Sequence, residues 1–201
     1  MRKLVVAAFV SLDGVMQAPG GPDEDTSGGF RYGGWTVPLS DDATNQAIAD
    51  MFATPFELLL GRRTYDIFAS YWPKVKDNYI ADLFNKVPKH VATHRPDSLK
   101  WKGSVALSGD VVAAVRTLKQ QDGDALLTQG SAHLVRQLLA AGLVDELRLQ
   151  TFPVLLGPGK RLFDDKASAS SFKVTSSVTS PGGVLLAHYV RSGEVQTGAF
   201  D

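Results

Sequence analysis

Phe56-Glu57-Leu58-Leu59-Leu60-Gly61-Arg62-Arg63-Thr64-Tyr65-Asp66 is the stretch on which the fold turns. A short apolar run bounded by glycine reads as a strand buried on both faces of a sheet, and the residues after Gly61 read as a helix over 62–71. Working outward, the same sentence of strand, small-residue break and helix recurs. Leu4-Val5-Val6-Ala7-Ala8-Phe9-Val10 is a continuous β-branched and apolar run. Lys89-His90-Val91-Ala92-Thr93 ends in His94-Arg95-Pro96, and Ala125-Leu126-Leu127-Thr128 stops at Gln129-Gly130-Ser131 before a helix over 133–140. Strands alternating with helical segments up to about residue 140 predict a mostly parallel sheet with helices on both faces, an α/β protein.

The remaining segments fit that frame. Ser40-Asp41-Asp42 reads as a helix start, and Ala47, Ile48, Met51 and Phe52 supply its apolar stripe before Thr54-Pro55 ends it. A weaker helix is expected around 77–84, a short strand at Val105-Ala106-Leu107, and an amphipathic helix carrying Val111, Val112, Val115 and Leu118. Gly142 caps the helix over 133–140. Asp145 to Phe152 alternates as a strand, and segments 172–180 and 184–190, joined by Pro181-Gly182-Gly183, read as an antiparallel C-terminal hairpin. No repeat, low-complexity tract or linker divides the chain. One domain over 1–191 is expected, with a polar tail at 192–201.

Composition narrows the function classes. The 201 residues carry 21 Lys+Arg against 21 Asp+Glu, so no global field draws the chain to nucleic acid or an anionic membrane. With no cysteine there is no disulfide framework, thiolate ligand or cysteine nucleophile. The N-terminal apolar run is about seven residues, short for a signal peptide, and nothing approaches the ~18 residues of a bilayer span. A cytoplasmic protein is expected. His90, His94, His133 and His188 are scattered without metal-ligand spacing, so no metal is expected. No strand is followed by G-x-G-x-x-G, Gly157-Pro158-Gly159-Lys160 lacks the P-loop pattern, and there is no G-x-S-x-G elbow.

Ligands of open α/β sheets sit beyond the carboxyl ends of the strands. Three turns there have unusual content. At Gly61-Arg62-Arg63-Thr64, glycine allows either a positive φ or a close phosphate approach, and the helix start offers free N–H groups beside two guanidinium forks. Thr93-His94-Arg95 adds a hydroxyl, an imidazole and a guanidinium. Gln129-Gly130-Ser131-Ala132 opens another helix with small residues. All three on one side of one sheet make a groove for a long, multiply phosphorylated ligand, and a dinucleotide has that shape. The glycine-rich loop over 11–39 is long enough to be functional, and Phe30, Tyr32 and Trp35 give it apolar surface to close as a lid over a substrate.

Leu58-Leu59-Leu60-Gly61-Arg62-Arg63-Thr64-Tyr65-Asp66 resembles the Gly-Arg-x-Thr motif of dihydrofolate reductases and their relatives. Ser11-Leu12-Asp13-Gly14 after the first strand, Asp145-Glu146-Leu147, and the loop from Phe152 through Gly157-Pro158-Gly159-Lys160 to Phe163 resemble the C-terminal reductase domain of the bifunctional riboflavin-biosynthesis deaminase–reductase. The ordered set spans about residues 2 to 191. It implies a three-layer dihydrofolate-reductase-like fold and hydride transfer from NADPH to a C=N or C=O carbon of a small substrate. Arg62, Arg63 and Thr64 would then hold the adenosine-side phosphates, Thr93, His94 and Arg95 the 2′-phosphate region, and Gly130 to Ala132 the pyrophosphate. Ala8, Gly14 and Val15 would line the nicotinamide. Asp13 and Asp50 are the carboxylates considered for catalysis. This chain departs from the riboflavin reductase pattern, which has Glu-Gly-Gly in place of Gln129-Gly130-Ser131 and an Asp-Asn-Pro loop with no counterpart here. That leaves three readings: a reductase of another small, heterocyclic or carbonyl substrate, a riboflavin-pathway pyrimidine reductase, and a nucleotide-binding protein without turnover. The late strand and C-terminal hairpin also suggest a homodimer, since exposed edge strands need covering.

Overall fold

A computed structural model describes residues 1–200. Eight strands form one sheet: β1 (Leu4–Ser11), β2 (Phe56–Gly61), β3 (Lys89–Ala92), β4 (Ser104–Leu107), β5 (Ala125–Gln129), β6 (Glu146–Phe152), β7 (Ser171–Thr179) and β8 (Leu185–Gly193). Their spatial order is β4-β3-β2-β5-β1-β6-β8-β7. The pairs from β4 to β6 are parallel, whereas β8 runs antiparallel to both β6 and β7. The expected mostly parallel sheet with an antiparallel C-terminal hairpin is therefore what the chain forms. The hairpin's last strand reaches Gly193, a little beyond the expected limit, and residues 194–200 carry no regular structure.

Leu58, Leu59 and Leu60 are all fully buried, which a central strand with both faces covered requires. Their alternation divides the core. Leu59 joins Leu4, Val6 and Leu126 under helices α4 (Val111–Gln120) and α5 (Ala132–Ala140), while Leu58 and Leu60 join Val5 and Leu127 on the opposite face. That second face is covered by α1 (Asp42–Phe52), α2 (Arg62–Tyr71) and α3 (Tyr79–Lys86). The result is three layers, helix–sheet–helix.

Local chemistry explains where the helices begin. Asp41 accepts the Thr44 N–H, and the Thr44 hydroxyl takes the Asp41 N–H in return, a reciprocal cap for α1. Asn78 accepts the N–H groups of Ile80 and Ala81, so α3 starts at Tyr79 and not at Asp77, which sits at a positive φ. Asp110 caps α4 in the same way. Helix α5 ends as expected at Gly142, whose φ of 66° returns the Leu143 N–H to the Leu138 carbonyl.

Candidate active site

A cleft of about 1480 Å³ opens where the carboxyl ends of β1, β2, β3 and β5 converge. That exceeds the roughly 300–1,000 Å³ of an ordinary small-molecule pocket, so there is room for a large ligand and a second, smaller one side by side. Ala7, Ala8 and Phe9 reach it from β1, Gly61 from β2, Ala92 from β3 with Thr93 just after it, and Gln129 from β5. The three turns predicted to share one side of the sheet do meet there.

The helix ends at this cleft differ from the others in the molecule. The first turns of α1, α3 and α4 are satisfied by Asp41, Asn78 and Asp110, whereas α2 and α5 have no side-chain cap. Instead the two ends are tied to each other: the Gly61 N–H donates to Ser131 Oγ at 2.9 Å, and the Ser131 N–H donates to Thr64 Oγ1 at 3.0 Å. Thr64 and Ser131 therefore brace the turns, and the first N–H groups of α2 and α5 stay without a side-chain cap, an arrangement whose chemistry suits an anion. The close approach depends on Gly130. Its φ is +63°, and a β-carbon there would stand 2.9 Å from Thr64 Oγ1. Gly61, by contrast, has an ordinary extended φ of −71°, and a β-carbon would meet Ser131 only at 3.4 Å. The positive-φ glycine of this cradle is Gly130, not Gly61.

Cationic groups surround the cradle in different states of readiness. Arg62 is held by Asp66 at 2.9 Å and by Ser98 Oγ at 2.5 Å, which fixes its guanidinium between the turns of β2 and β3. Arg63 reaches across to Asp25 at 2.7 Å. Thr93 Oγ1 receives the Arg95 N–H at 3.0 Å and so shapes the turn that carries His94 and Arg95. Both side chains are exposed, with Arg95 at the rim beside Arg62 and Arg63.

The loop between β1 and α1 is ordered by its own polar groups. Gln17, almost fully buried, donates to the carbonyls of Asp25 and Ser27 at 2.9 Å each and accepts the Lys160 N–H at 3.0 Å. Asp25 ties Arg63 to Lys160, whose ammonium lies 2.5 Å away. Burial alone would raise the Asp25 carboxyl, but hydrogen bonds from Lys160, Ser27 and Arg63 hold it down to about 2. Glu24 beside it is pushed up by burial, despite accepting the Gly20 N–H at 2.7 Å.

Several expected site residues lie elsewhere. Asp13 accepts from the Ser11 hydroxyl at 2.5 Å and from the N–H groups of Leu156 and Gly157 at 3.2 and 2.8 Å. The Ser11 contact and those N–H groups keep its carboxyl at about 2, so it is a fixed anion pinning one loop to another. It does not line the cleft. Asp50 is exposed, bonded to Gln46 at 2.8 Å, and also outside the cleft, because the turn of α1 points Ile48 and Met51 inward instead. Gly14 and Val15 are not cleft residues either. Val15 packs in an interior cluster, and Met16, Gln17 and Ala18 line the wall beside Ala8. Phe30 and Trp35 are buried in the same cluster, with the Trp35 indole N–H on the Gln17 carbonyl at 2.8 Å and its ring against Phe152. Tyr32 stands half-exposed against Phe30. These aromatics anchor the loop from beneath, and the loop surface that meets the cleft is 17–25.

An aromatic wall also lines the cleft, with nothing in the sequence to single it out. Phe68, Trp72 and Phe84 touch one another with ring centroids 5.1 to 6.1 Å apart, and together with Ile48 and Met51 they line the far end of the cleft. In the sequence they carry only the helical apolar spacing that every core residue carries. Among the described residues no group of three or more His, Cys, Asp or Glu is placed to hold a metal ion. No helix among them is long and apolar enough to cross a membrane.

A mostly parallel sheet covered by helices on both faces, with an antiparallel terminal hairpin, defines the dihydrofolate-reductase-like class of fold. The dihydrofolate reductase of Enterococcus faecalis, solved with NADP(H), superposes with a TM-score of 0.58 at 13% identity, over 94% of this chain and 96% of its own. A Shewanella sp. PV-4 protein proposed to serve riboflavin biosynthesis gives 0.66 at 22% identity, over 94% and 99%. The family model of the RibD C-terminal domain matches residues 2–186, and the chain belongs to that family. It is also 25% identical over 196 residues to the uncharacterized protein YyaP of Bacillus subtilis (strain 168), covering 96% of each.

Proposed function

We propose that this protein is a reductase that uses NADPH to deliver a hydride to a C=N or C=O carbon of a small, heterocyclic or carbonyl substrate. The observation that carries the reading is the pair of uncapped helix starts, α2 and α5, braced together by Thr64 and Ser131 at the floor of one cleft. A cradle that a Gly130 β-carbon would fill, with Arg62 fixed beside it, suits a pyrophosphate. Arg95 and His94 at the rim suit the 2′-phosphate. Ala8, Met16, Gln17 and Ala18 would line the nicotinamide end. When bound, the reduced nicotinamide supplies the hydride, and this chain supplies position and field.

The residues' own roles follow from their contacts. Arg62 orients through Asp66 and Ser98, and the 17–25 loop shields the reacting end from water through its Asp25 and Gln17 anchors. Asp13 is a locked anion and Asp50 lies outside, so neither donates a proton in this arrangement. Glu24 lines the cleft, its carboxyl is pushed up by burial, and it is the carboxyl we assign to that task. The long outer edge of β7 also favours a homodimer. Titration of NADPH by fluorescence, followed by NADPH oxidation with a panel of carbonyl and heteroaromatic compounds, tests the reading. Failure to bind NADPH overturns it.

A further inference from the structure

The far end of the cleft is charge-free. Ile48 and Met51 reach it from α1, Phe68 and Trp72 from α2 and the turn after it, and Ile80 and Phe84 from α3. Phe84 is fully buried and forms the floor, while Ile48, Phe68, Trp72 and Ile80 are half-buried and keep a face open to the cavity. Beyond the first turn of α2, no Lys, Arg, His, Asp or Glu of these three helices lines the cleft among the described residues. The cations that flank these residues in sequence, Lys74, Lys76 and Lys86, are exposed and lie outside it. One amide closes this compartment on the sheet side. Among the described residues Gln129 Nε2 has only the Met51 sulfur, at 3.6 Å, and Gln129 Oε1 has no protein donor. An amide left with a weak sulfur contact has both a donor and an acceptor to offer a ligand.

We infer that this compartment takes a neutral, planar ring with a carbonyl or lactam edge, and that Gln129 reads that edge. The inference rests on the reductase reading above, and deepens it by naming the substrate class. Flat aromatic walls, with Trp72 edge-on to Phe68 and Phe84 and those two rings stacked, suit an aromatic or heteroaromatic face. A phosphate or carboxylate placed there would be stripped of water with no cation to receive it. Among the described residues the cleft's Lys and Arg side chains come from the first turn of α2, from α5 and from the 159–161 loop, where Asp66 holds Arg62, Asp25 holds Arg63 and Lys160, Asp164 holds Arg136 and Asp13 pairs with Arg161. A sugar phosphate is therefore a poor match for this end of the site.

The test compares 1-naphthol with 1-naphthyl phosphate by calorimetry, on protein saturated with NADP⁺ so that the cofactor's phosphate subsites are filled. 1-Naphthol should bind at least tenfold more tightly. Ile48→Arg, which places a cation in the wall without disturbing the buried floor, should reverse that order. Isoquinolin-1-one, which presents a lactam edge, should bind several-fold more weakly to Gln129→Leu, while 1-naphthol changes little. Naphthyl phosphate binding as well as naphthol to the natural protein would overturn the inference, as would Ile48→Arg leaving the ratio unchanged. Failure of NADP⁺ itself to bind, read in its own titration, would sink the cofactor reading separately. The naphthol pair would then be compared on the free protein, with the same outcomes deciding.

Discussion

Individual residues at the cradle make separable contributions. Gly130 carries two constraints at once, a φ of +63° and a β-carbon position 2.9 Å from Thr64 Oγ1. Gly130→Ala is expected to cost about 1 to 3 kcal/mol of stability and to weaken NADPH binding, since the braced helix ends must part. Gly61→Ala, at φ −71° with 3.4 Å to Ser131, should fold within about 1 kcal/mol of the parent. Thermal melts and NADPH titrations of the two variants check this, and equal behaviour would argue against the cradle. Arg95 supports a second prediction. Its exposed guanidinium forms no salt bridge among the described residues, which suits it to a 2′-phosphate. NADPH should bind about ten- to a hundredfold more tightly than NADH, a difference of roughly 1.5 to 3 kcal/mol for one charge-assisted contact. Arg95→Ala should remove most of that preference, and superimposable NADPH and NADH curves on the natural protein would refute it.

At the scale of an element, the loop between β1 and α1 behaves as a strap held at three points. Asp25 fastens it to α2 through Arg63 and to the Gly157–Arg161 loop through Lys160, while Gln17 and Trp35 hold it from below. The Asp25 carboxyl titrates near 2 when folded, below the ~3.9 of an unfolded chain. Its stabilising contribution is therefore complete above about pH 4 and is lost as pH falls towards 2. Allowing for the screening of its exposed Arg63 and Lys160 partners, the loss is about 1 to 2 kcal/mol. Asp25→Asn should lower stability by that amount at pH 7 and flatten the acid limb of the unfolding profile between pH 4 and 2. An unchanged acid limb would count against the strap. The same residue competes with any phosphate for Arg63, so the variant should free that guanidinium while loosening the loop.

Across the whole molecule the sheet is protected on one side only. At one edge β4 is a short strand, whereas β7 presents nine residues with an unpaired outer edge, and Val174 and Val178 are 49% and 61% exposed. A long edge of this kind pairs with another chain unless something blocks it. We expect a homodimer, with light scattering giving twice the 21.6 kDa chain mass. Val178→Lys should shift the equilibrium towards monomer, because an interfacial charge would be buried without a partner. A natural protein that stays monomeric at high concentration would remove the basis for this proposal.

The sequence by itself determined the sheet and its order of elements. Apolar runs such as Leu58-Leu59-Leu60 and small-residue breaks such as Gln129-Gly130-Ser131 are local signals, and local chemistry decides where strands stop and helices start. It also located the three turns that meet at the cleft, because residues at the carboxyl ends of parallel strands must share one edge. What it did not hold was the direction of single side chains. Asp13 and Asp50 look alike as carboxylates near the expected site. Only the folded chain shows one held in a loop clamp and the other facing solvent on the outer turn of α1. Phe30 and Trp35 look like lid surface until their partners Val15 and Phe152 are in place. The Asp25–Lys160 contact joins residues 135 positions apart, and Phe68, Trp72 and Phe84 become a wall only when α2 and α3 pack together. Such juxtapositions depend on packing between distant segments, and that packing leaves no periodic trace in the sequence.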